Sequence, residues 1–124
     1  MTIKDYFSST KGKGVLSTAD SSGNVNSAVY GRPHVMEDGT LAFIMRDRLT
    51  HHNLTSNPGA VYLFIEEGKG YKGKRLYLTK IKEEVNSPLI KELQRREYDI
   101  EPAENRYLVF FELTRDLPLI GSGK

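Results

Sequence analysis

The strongest constraint on the fold is a series of short apolar segments separated by clusters of Gly, Asp, Asn and Pro. Segments of this length, rich in β-branched and aromatic residues, are typical of strands, and the clusters are typical of tight turns. Pro33 predicts an interruption late in the second segment. Short turns pair consecutive strands antiparallel, which indicates a mainly β barrel with peripheral helices. The six predicted strands cover residues 15–19, 25–35, 40–45, 60–65, 74–82 and 106–113.

Short helices are predicted around these strands. Thr2 is a capping residue for a first helix that continues to about Ser8. A second helix is predicted to start at Asp47 or Thr50 and to stop before an Asn-Pro pair. A capping serine followed by proline starts a third helix over residues 87–96.

Length and composition exclude several classes of protein. A chain of 124 residues provides one hydrophobic core, so we expect a single domain over residues 1–124. The net charge of +2 is too small to indicate a nucleic-acid partner. The absence of cysteine excludes disulfides and thiolate metal sites. No apolar run approaches the roughly 18–20 residues that a bilayer span needs. The N-terminus lacks a signal-peptide core, and we expect a cytoplasmic protein with no membrane partner.

The junction between the third strand and the second helix is rich in cationic residues. A helix N-terminus combines unpaired N–H groups with the positive end of the helix dipole, and it attracts anions. Arginine adds a planar fork that suits phosphate, and a threonine hydroxyl adds a further donor. The sequence therefore predicts an anion site, with phosphate as the best match; the alternative is a surface helix with solvated arginines. The residues at this junction are Arg46, Arg48, Thr50, His51 and His52.

The adjacent histidines do not predict a metal site. Consecutive helical side chains point about 100° apart, so His51 and His52 cannot easily share one ion. A site that also recruits His34 stays open as an alternative, as does haem ligation by a histidine.

One segment resembles a known family. Asn53-Leu54-Thr55-Ser56-Asn57-Pro58, preceded by Arg48-Leu49-Thr50, is similar to the segment after the third strand of pyridoxamine 5'-phosphate oxidase-like proteins. The resemblance implies a six-stranded antiparallel split β-barrel of the FMN-binding type. It also implies that the turn before this helix binds the FMN phosphate. The usual lysine of the family falls at Thr50, so Arg48, His51 or the Thr50 hydroxyl would supply that contact.

The resemblance assigns further residues to the cofactor. The second strand would run along the flavin, and the end of the third strand would contact it through the backbone. Residues at the start of the fifth strand would reach the flavin of a second subunit. Ordinary barrel packing or a solvated loop is the alternative for each. The residues assigned in this way are Ala28, Val29, Tyr30, Arg32, Phe43, Ile44, Arg46, Arg48, Leu49, Thr50, His51, His52, Lys74 and Arg75.

The function implied by the resemblance is electron or hydride transfer through bound FMN. The expected assembly is a homodimer with the flavin at the subunit interface, acting on a small-molecule redox substrate. The sequence contains no nucleophile-and-base arrangement, so the cofactor would carry the chemistry and no catalytic residue is predicted. The alternative is a non-catalytic flavin, deazaflavin or haem binding protein of the same fold.

Overall fold

The computed structural model describes residues 2–94 and 104–121. Within these ranges the predicted second strand is divided in two, because the chain leaves the sheet around Pro33. Seven strands therefore stand where six were predicted. The helices are α1 (Ile3–Ser9), α2 (Leu49–Ser56) and α3 (Leu89–Leu93), and the strands are β1 (Gly12–Ala19), β2 (Val25–Tyr30), β3 (His34–Val35), β4 (Leu41–Arg46), β5 (Gly59–Glu66), β6 (Gly73–Val85) and β7 (Arg106–Pro118).

The strands form one antiparallel sheet in the order β2-β1-β5-β6-β7-β4-β3. The central strands β6 and β7 have 13 residues each. Their pairing register shifts between Tyr77 and Leu78 and again between Lys80 and Lys82. Such irregularities bend a strand and increase its twist, so they help the sheet to curl. The mainly β, antiparallel barrel predicted from the sequence is confirmed.

The larger buried apolar cluster lies on the concave side of the curled sheet, and a smaller cluster consists of Ala42, Ile90, Leu108 and Phe110. Alternate residues of the central strands point inward, as the two-residue period of a strand requires. Helix α1 places Phe7 against Phe64, with the ring centroids 5.2 Å apart. The α1 N-terminus has the predicted cap, a reciprocal pair between Thr2 and Asp5. The largest fully buried apolar side chains include Leu16, Tyr62, Phe64, Leu76 and Phe111.

Tyr62 determines where β2 ends. Its ring covers Gly14, where an added Cβ would collide with the ring atoms. The first strand was predicted to start at residue 15, but β1 starts at Gly12. Because Gly14 has no side chain, β1 can pair with β5 beneath the Tyr62 ring. The Tyr62 hydroxyl donates to the carbonyl of Tyr30, at 3.1 Å, or to that of Gly31, at 2.9 Å. These contacts fix the point at which the chain leaves β2.

Helix α2 begins at Leu49, with Arg48 as its N-cap, so the predicted start at Asp47 or Thr50 is wrong. Neither predicted side chain caps the helix, because the Asp47 carboxylate contacts His51 and the Thr50 hydroxyl accepts a hydrogen bond from Asn26. Helix α3 begins at Leu89, later than the predicted start at Ser87, and it ends at Leu93, since Gln94 has extended backbone. The predicted end at residue 96 lies outside the described ranges. In the described part of the chain, no helix is long and apolar enough to cross a membrane.

Candidate functional site

A cleft of about 1100 Å³ opens between the two edges of the sheet. Strand β2 forms one side, β4 forms the other, and the start of α2 closes one end. Five consecutive residues of the chain, 28–32, line the cleft. Strand β2 pairs only with β1 among the described strands. Its free backbone edge therefore borders the cleft and offers N–H and C=O groups to a ligand.

Ten of the fourteen residues assigned to a cofactor from the sequence line this cleft. They come from β2, from the connection after it, from β4 and from the first turn of α2. The ten are Ala28, Val29, Tyr30, Arg32, Phe43, Ile44, Arg46, Arg48, Leu49 and Thr50. The other four, His51, His52, Lys74 and Arg75, do not line it.

Three arginines meet at the α2 end of the cleft. Arg46 ends β4 and lies opposite Arg106, the first residue of β7. Arg48 occupies the N-cap position of α2, and its Nη2 lies 3.2 Å from Oε1 of Glu104. The same oxygen lies 3.8 Å from Nε of Arg46. The Glu104 carboxylate thus faces two guanidinium groups, those of Arg46 and Arg48, at the end of the cleft that Arg106 also lines.

The helix N-terminus adds to this charge. No side chain caps the first turn of α2, and the first turn contains no acidic residue. Its leading N–H groups therefore keep their capacity to donate, and the helix dipole directs its positive end to the same place. The buried Thr50 hydroxyl is fixed beside them by a hydrogen bond of 3.3 Å from Asn26. Together these groups form an arrangement suited to an anion.

Aromatic side chains form the wall next to this anion site. The Tyr30 and Phe43 rings meet edge to face, with centroids 5.8 Å apart. Burial raises the pKa of the Tyr30 phenol, an effect that a hydrogen bond with Thr50 opposes. Tyr30 is therefore a neutral hydrogen-bonding group at physiological pH. Phe43 is buried in the core, so its side chain offers little surface to a ligand.

His51 lies behind the cleft and is only 5% exposed. Its Nδ1 is 3.0 Å from Oδ1 of Asp47, and its Nε2 is 3.0 Å from Oε1 of Glu83. The ring stacks on Tyr107 at 3.9 Å between centroids. His52 is exposed and does not line the cleft. Over residues 2–94 and 104–121, no group of three or more His, Asp or Glu residues could hold a metal ion.

The remaining predicted cations make contacts within the fold. Arg32 lines the cleft and donates to the carbonyls of Phe7 and Thr10, which fastens α1 to the end of β2. Lys74 forms an ion pair of 3.0 Å with Asp116. Arg75 donates to the carbonyls of Pro118 and Gly121, at 2.9 and 2.6 Å. Lys74 and Arg75 thus tie the two long strands together within one subunit.

Sequence reasoning missed several residues of the cleft. Arg106 and Glu104 follow a long connection, and only the β4–β7 pairing brings them to the Arg46 side chain. A cation at the first position of an apolar strand was the available signal for Arg106. Asn26 gave no signal of its own in the sequence. The other missed lining residues are Lys11, Gly12, Lys13, Gly14, His34, Glu67 and Gln94.

Comparison with solved structures identifies the architecture. An FMN-binding protein from Syntrophomonas wolfei superposes with a TM-score of 0.74, at 23% identity, over 96% of this chain and 84% of that protein. An F420 reductase superposes with a TM-score of 0.67, at 16% identity, over 94% and 98% of the two chains. A pyridoxamine 5'-phosphate oxidase-related, FMN-binding protein from Nostoc punctiforme gives 0.56, at 15% identity, over 82% and 70%.

These likenesses define the fold. The chain has the split-barrel fold of pyridoxamine 5'-phosphate oxidase-like proteins, as the segment around Asn53 to Pro58 had indicated. No protein-family model matches the sequence, and no curated protein matches it.

Proposed function

We propose that the cleft binds FMN, with the phosphate at the α2 end and the flavin ring along β2. The observation that carries this proposal is the meeting of Arg46, Arg48 and Arg106 at an uncapped helix N-terminus. A phosphate monoester carries close to two negative charges at neutral pH. Arg46 and Arg48 share one carboxylate, Glu104, and their planar guanidinium groups suit such an anion. The residues present therefore fit the phosphate of FMN.

The rest of the cleft suits the remainder of the cofactor. Ala28 is small and allows a planar ring to approach the β2 backbone. The free edge of β2 supplies donors and acceptors to the polar edge of the ring. Ile44 and Tyr30 provide apolar surface on the two sides of the cleft. Pockets of this kind, mostly apolar with a few placed polar groups, are typical of cofactor sites.

When bound, FMN would supply electron or hydride transfer, and the protein would act as a small flavoprotein oxidoreductase. The residues of the chain would hold and orient the cofactor. Arg46 and Arg48 would neutralise its phosphate, while the curled sheet would shield one face of the ring from water. No described side chain is assigned a proton-transfer role.

A second copy of the chain would complete the site. Val29, Val15 and Leu63 form an apolar row across the outer face of β2, β1 and β5, and Val29 is 81% exposed. The row is continuous with the cleft, because Val29 also lines the cleft. Burial of this row in a homodimer would place the partner against the open side of the cleft. In that arrangement, we propose that Lys74 and Arg75 contact the flavin bound to the partner subunit.

An absorption spectrum tests the cofactor assignment directly. The purified protein is mixed with excess FMN, desalted, and scanned for retained flavin bands. Arg48→Ala, and separately Thr50→Ala, should reduce retention. Lys4→Ala is the control, since it removes an exposed cation on α1 whose pair with Glu37 is 3.5 Å long. Oxidation of a reduced nicotinamide by the loaded protein would support an oxidoreductase. A spectrum without flavin after loading would contradict the proposal.

A deazaflavin is the second candidate cofactor. The F420 reductase that shares this fold over 94% of the chain favours it, as does Thr50 at the position of the family's usual lysine. Competition decides between the two cofactors. The protein is loaded with FMN and titrated with a deazaflavin phosphate, and displaced FMN fluorescence is measured. Displacement of FMN by a deazaflavin concentration below that of FMN would favour the deazaflavin as the cofactor.

A further inference from the structure

The environment of His51 is unusual because each ring nitrogen faces a different carboxylate. Asp47 Oδ1 lies 3.0 Å from Nδ1. Glu83 places its two carboxylate oxygens 3.0 and 3.1 Å from Nε2. The carboxylates approach opposite sides of the ring, and the Tyr107 ring covers one face at 3.9 Å between centroids. The histidine is only 5% exposed, and its ring nitrogens contact both carboxylates directly.

Hydrogen-bond chemistry determines which form of the ring fits this geometry. An ionised carboxylate only accepts hydrogen bonds, and a neutral imidazole has one N–H donor and one acceptor nitrogen. A neutral ring would therefore direct a lone pair at one of the two carboxylates. The doubly protonated imidazolium donates to both, and such charge-assisted bonds are the stronger kind.

We propose that His51 is an imidazolium that positions the anion-binding turn of the cleft. It joins Asp47, in the turn itself, to Glu83 on the long strand β6. Lys80 extends the connection with a contact of 2.6 Å to Glu83. We call these four residues the His51 bridge. Arg48 and Thr50 lie between Asp47 and His51 in the chain. The bridge therefore holds the stretch of backbone that carries these two cleft residues.

The charges in the His51 bridge alternate in sign. Asp47 precedes α2, His51 lies on α2, and Glu83 and Lys80 lie on β6, while Tyr107 from β7 is the neutral group stacked on the ring. Two anions and two cations compensate one another. His51 therefore does not contribute a free positive charge to a bound phosphate. It acts through the turn, which makes it a positioning residue and not a ligand contact.

The Glu83 carboxylate limits the bridge at low pH. Burial raises the pKa of Glu83, but hydrogen bonds from Lys80 and His51 outweigh it and hold that pKa below its ordinary value of 4.5. The contribution of Glu83 is therefore present above its ordinary pKa and is lost as the pH falls through the lowered value.

The protonation state is tested first, on the ligand-free protein. Two-dimensional ¹H–¹⁵N spectra of the histidine side chains distinguish an imidazolium from either neutral tautomer. His51 is expected to show both ring nitrogens protonated at pH 7, whereas the exposed His52 serves as an internal comparison. A single neutral tautomer at His51 at pH 7 would overturn the proposal.

The positioning role is tested by FMN binding, and this part depends on the proposed function. His51→Gln should weaken FMN affinity roughly tenfold, whereas His52→Gln, the neighbour on the same helix, should leave it unchanged. Equal affinities for His51→Gln and the wild type at every pH would contradict positioning.

Two further arms separate a folding failure from the proposed effect. Circular dichroism and thermal unfolding establish that each variant is folded. Glu83→Gln keeps an acceptor beside Nε2 but removes its charge, so it should weaken FMN binding in the same direction as His51→Gln. Unchanged affinity in folded Glu83→Gln would count against the bridge. If the wild type retains no FMN, the proposed function fails, and the NMR arm still decides the state of His51.

Discussion

The side-chain amide of Asn53 donates a hydrogen bond of 3.1 Å to the Thr18 hydroxyl, across the junction of α2 and β1. Both side chains are at most 3% exposed. The bond links a short helix to the curled sheet, and Leu54 beside it is buried in the core. The first asparagine of the Asn-Leu-x-x-Asn-Pro segment thus has a structural role. It fixes the helix whose N-terminus closes the cleft.

Loss of this bond should destabilise the fold. Thr18→Val leaves the buried Asn53 amide without this acceptor, which we expect to lower the free energy of unfolding by about 1–3 kcal/mol. Urea denaturation measures the change. Thr55→Ala, on the exposed side of the same helix, should change stability by no more than about 0.5 kcal/mol. If both substitutions changed the free energy of unfolding equally, the Asn53–Thr18 hydrogen bond would make no particular contribution to stability.

The contact between Gly14 and the Tyr62 ring predicts a severe effect from a single methyl group. Gly14→Ala would force Cβ into the ring of Tyr62, which is fully buried. We expect a loss of about 1–3 kcal/mol in unfolding free energy, the usual cost of overpacking. Gly31→Ala is the matched control, because a Cβ there meets nothing within 4 Å. Thermal unfolding of both variants measures the difference, and similar melting temperatures would contradict the argument.

Local patterns in the sequence were sufficient for most of the fold. The turn clusters and apolar segments located every strand, because two-residue alternation and turn chemistry are local properties. The boundaries differed where tertiary contacts decide them. Strand β1 extends back to Gly12 because Gly14 accepts the Tyr62 ring, and β7 continues to Pro118 through pairing with Lys74. Neither contact has a local signal.

The same distinction applies to the cleft. Arg46, Arg48 and Thr50 follow one another closely in the chain, so their clustering was visible in the sequence. The burial of His51 was not visible, because it depends on Glu83, 32 residues further along the chain. Glu104 likewise reaches Arg46 only through strand pairing. Charge compensation between distant segments is the property that sequence reasoning could not supply.

Glu104 should oppose anion binding. Its carboxylate contacts both Arg46 and Arg48, so a bound phosphate must compete with it. Glu104→Gln should therefore strengthen FMN binding by about two- to fivefold at low salt, the range expected for one partly exposed ion pair. Isothermal titration at two salt concentrations measures this gain, which should shrink as salt rises. Glu112→Gln, an exposed position on β7, is the control. Weaker binding by Glu104→Gln would contradict the assignment of the phosphate to this end of the cleft.

The apolar row on the outer face of the sheet predicts the assembly. Val29 is 81% exposed and lies beside Val15, which in turn pairs with Leu63. Light scattering should give a mass about twice 14.0 kDa. Val29→Lys would place a charge in the buried interface, and it should shift the protein to monomer and weaken FMN retention together. Ile81→Lys is the control, since Ile81 is also exposed but lies at the register shift in β6, outside this row. A wild-type protein that stays monomeric at micromolar concentration and still retains FMN would show that one subunit forms the complete site.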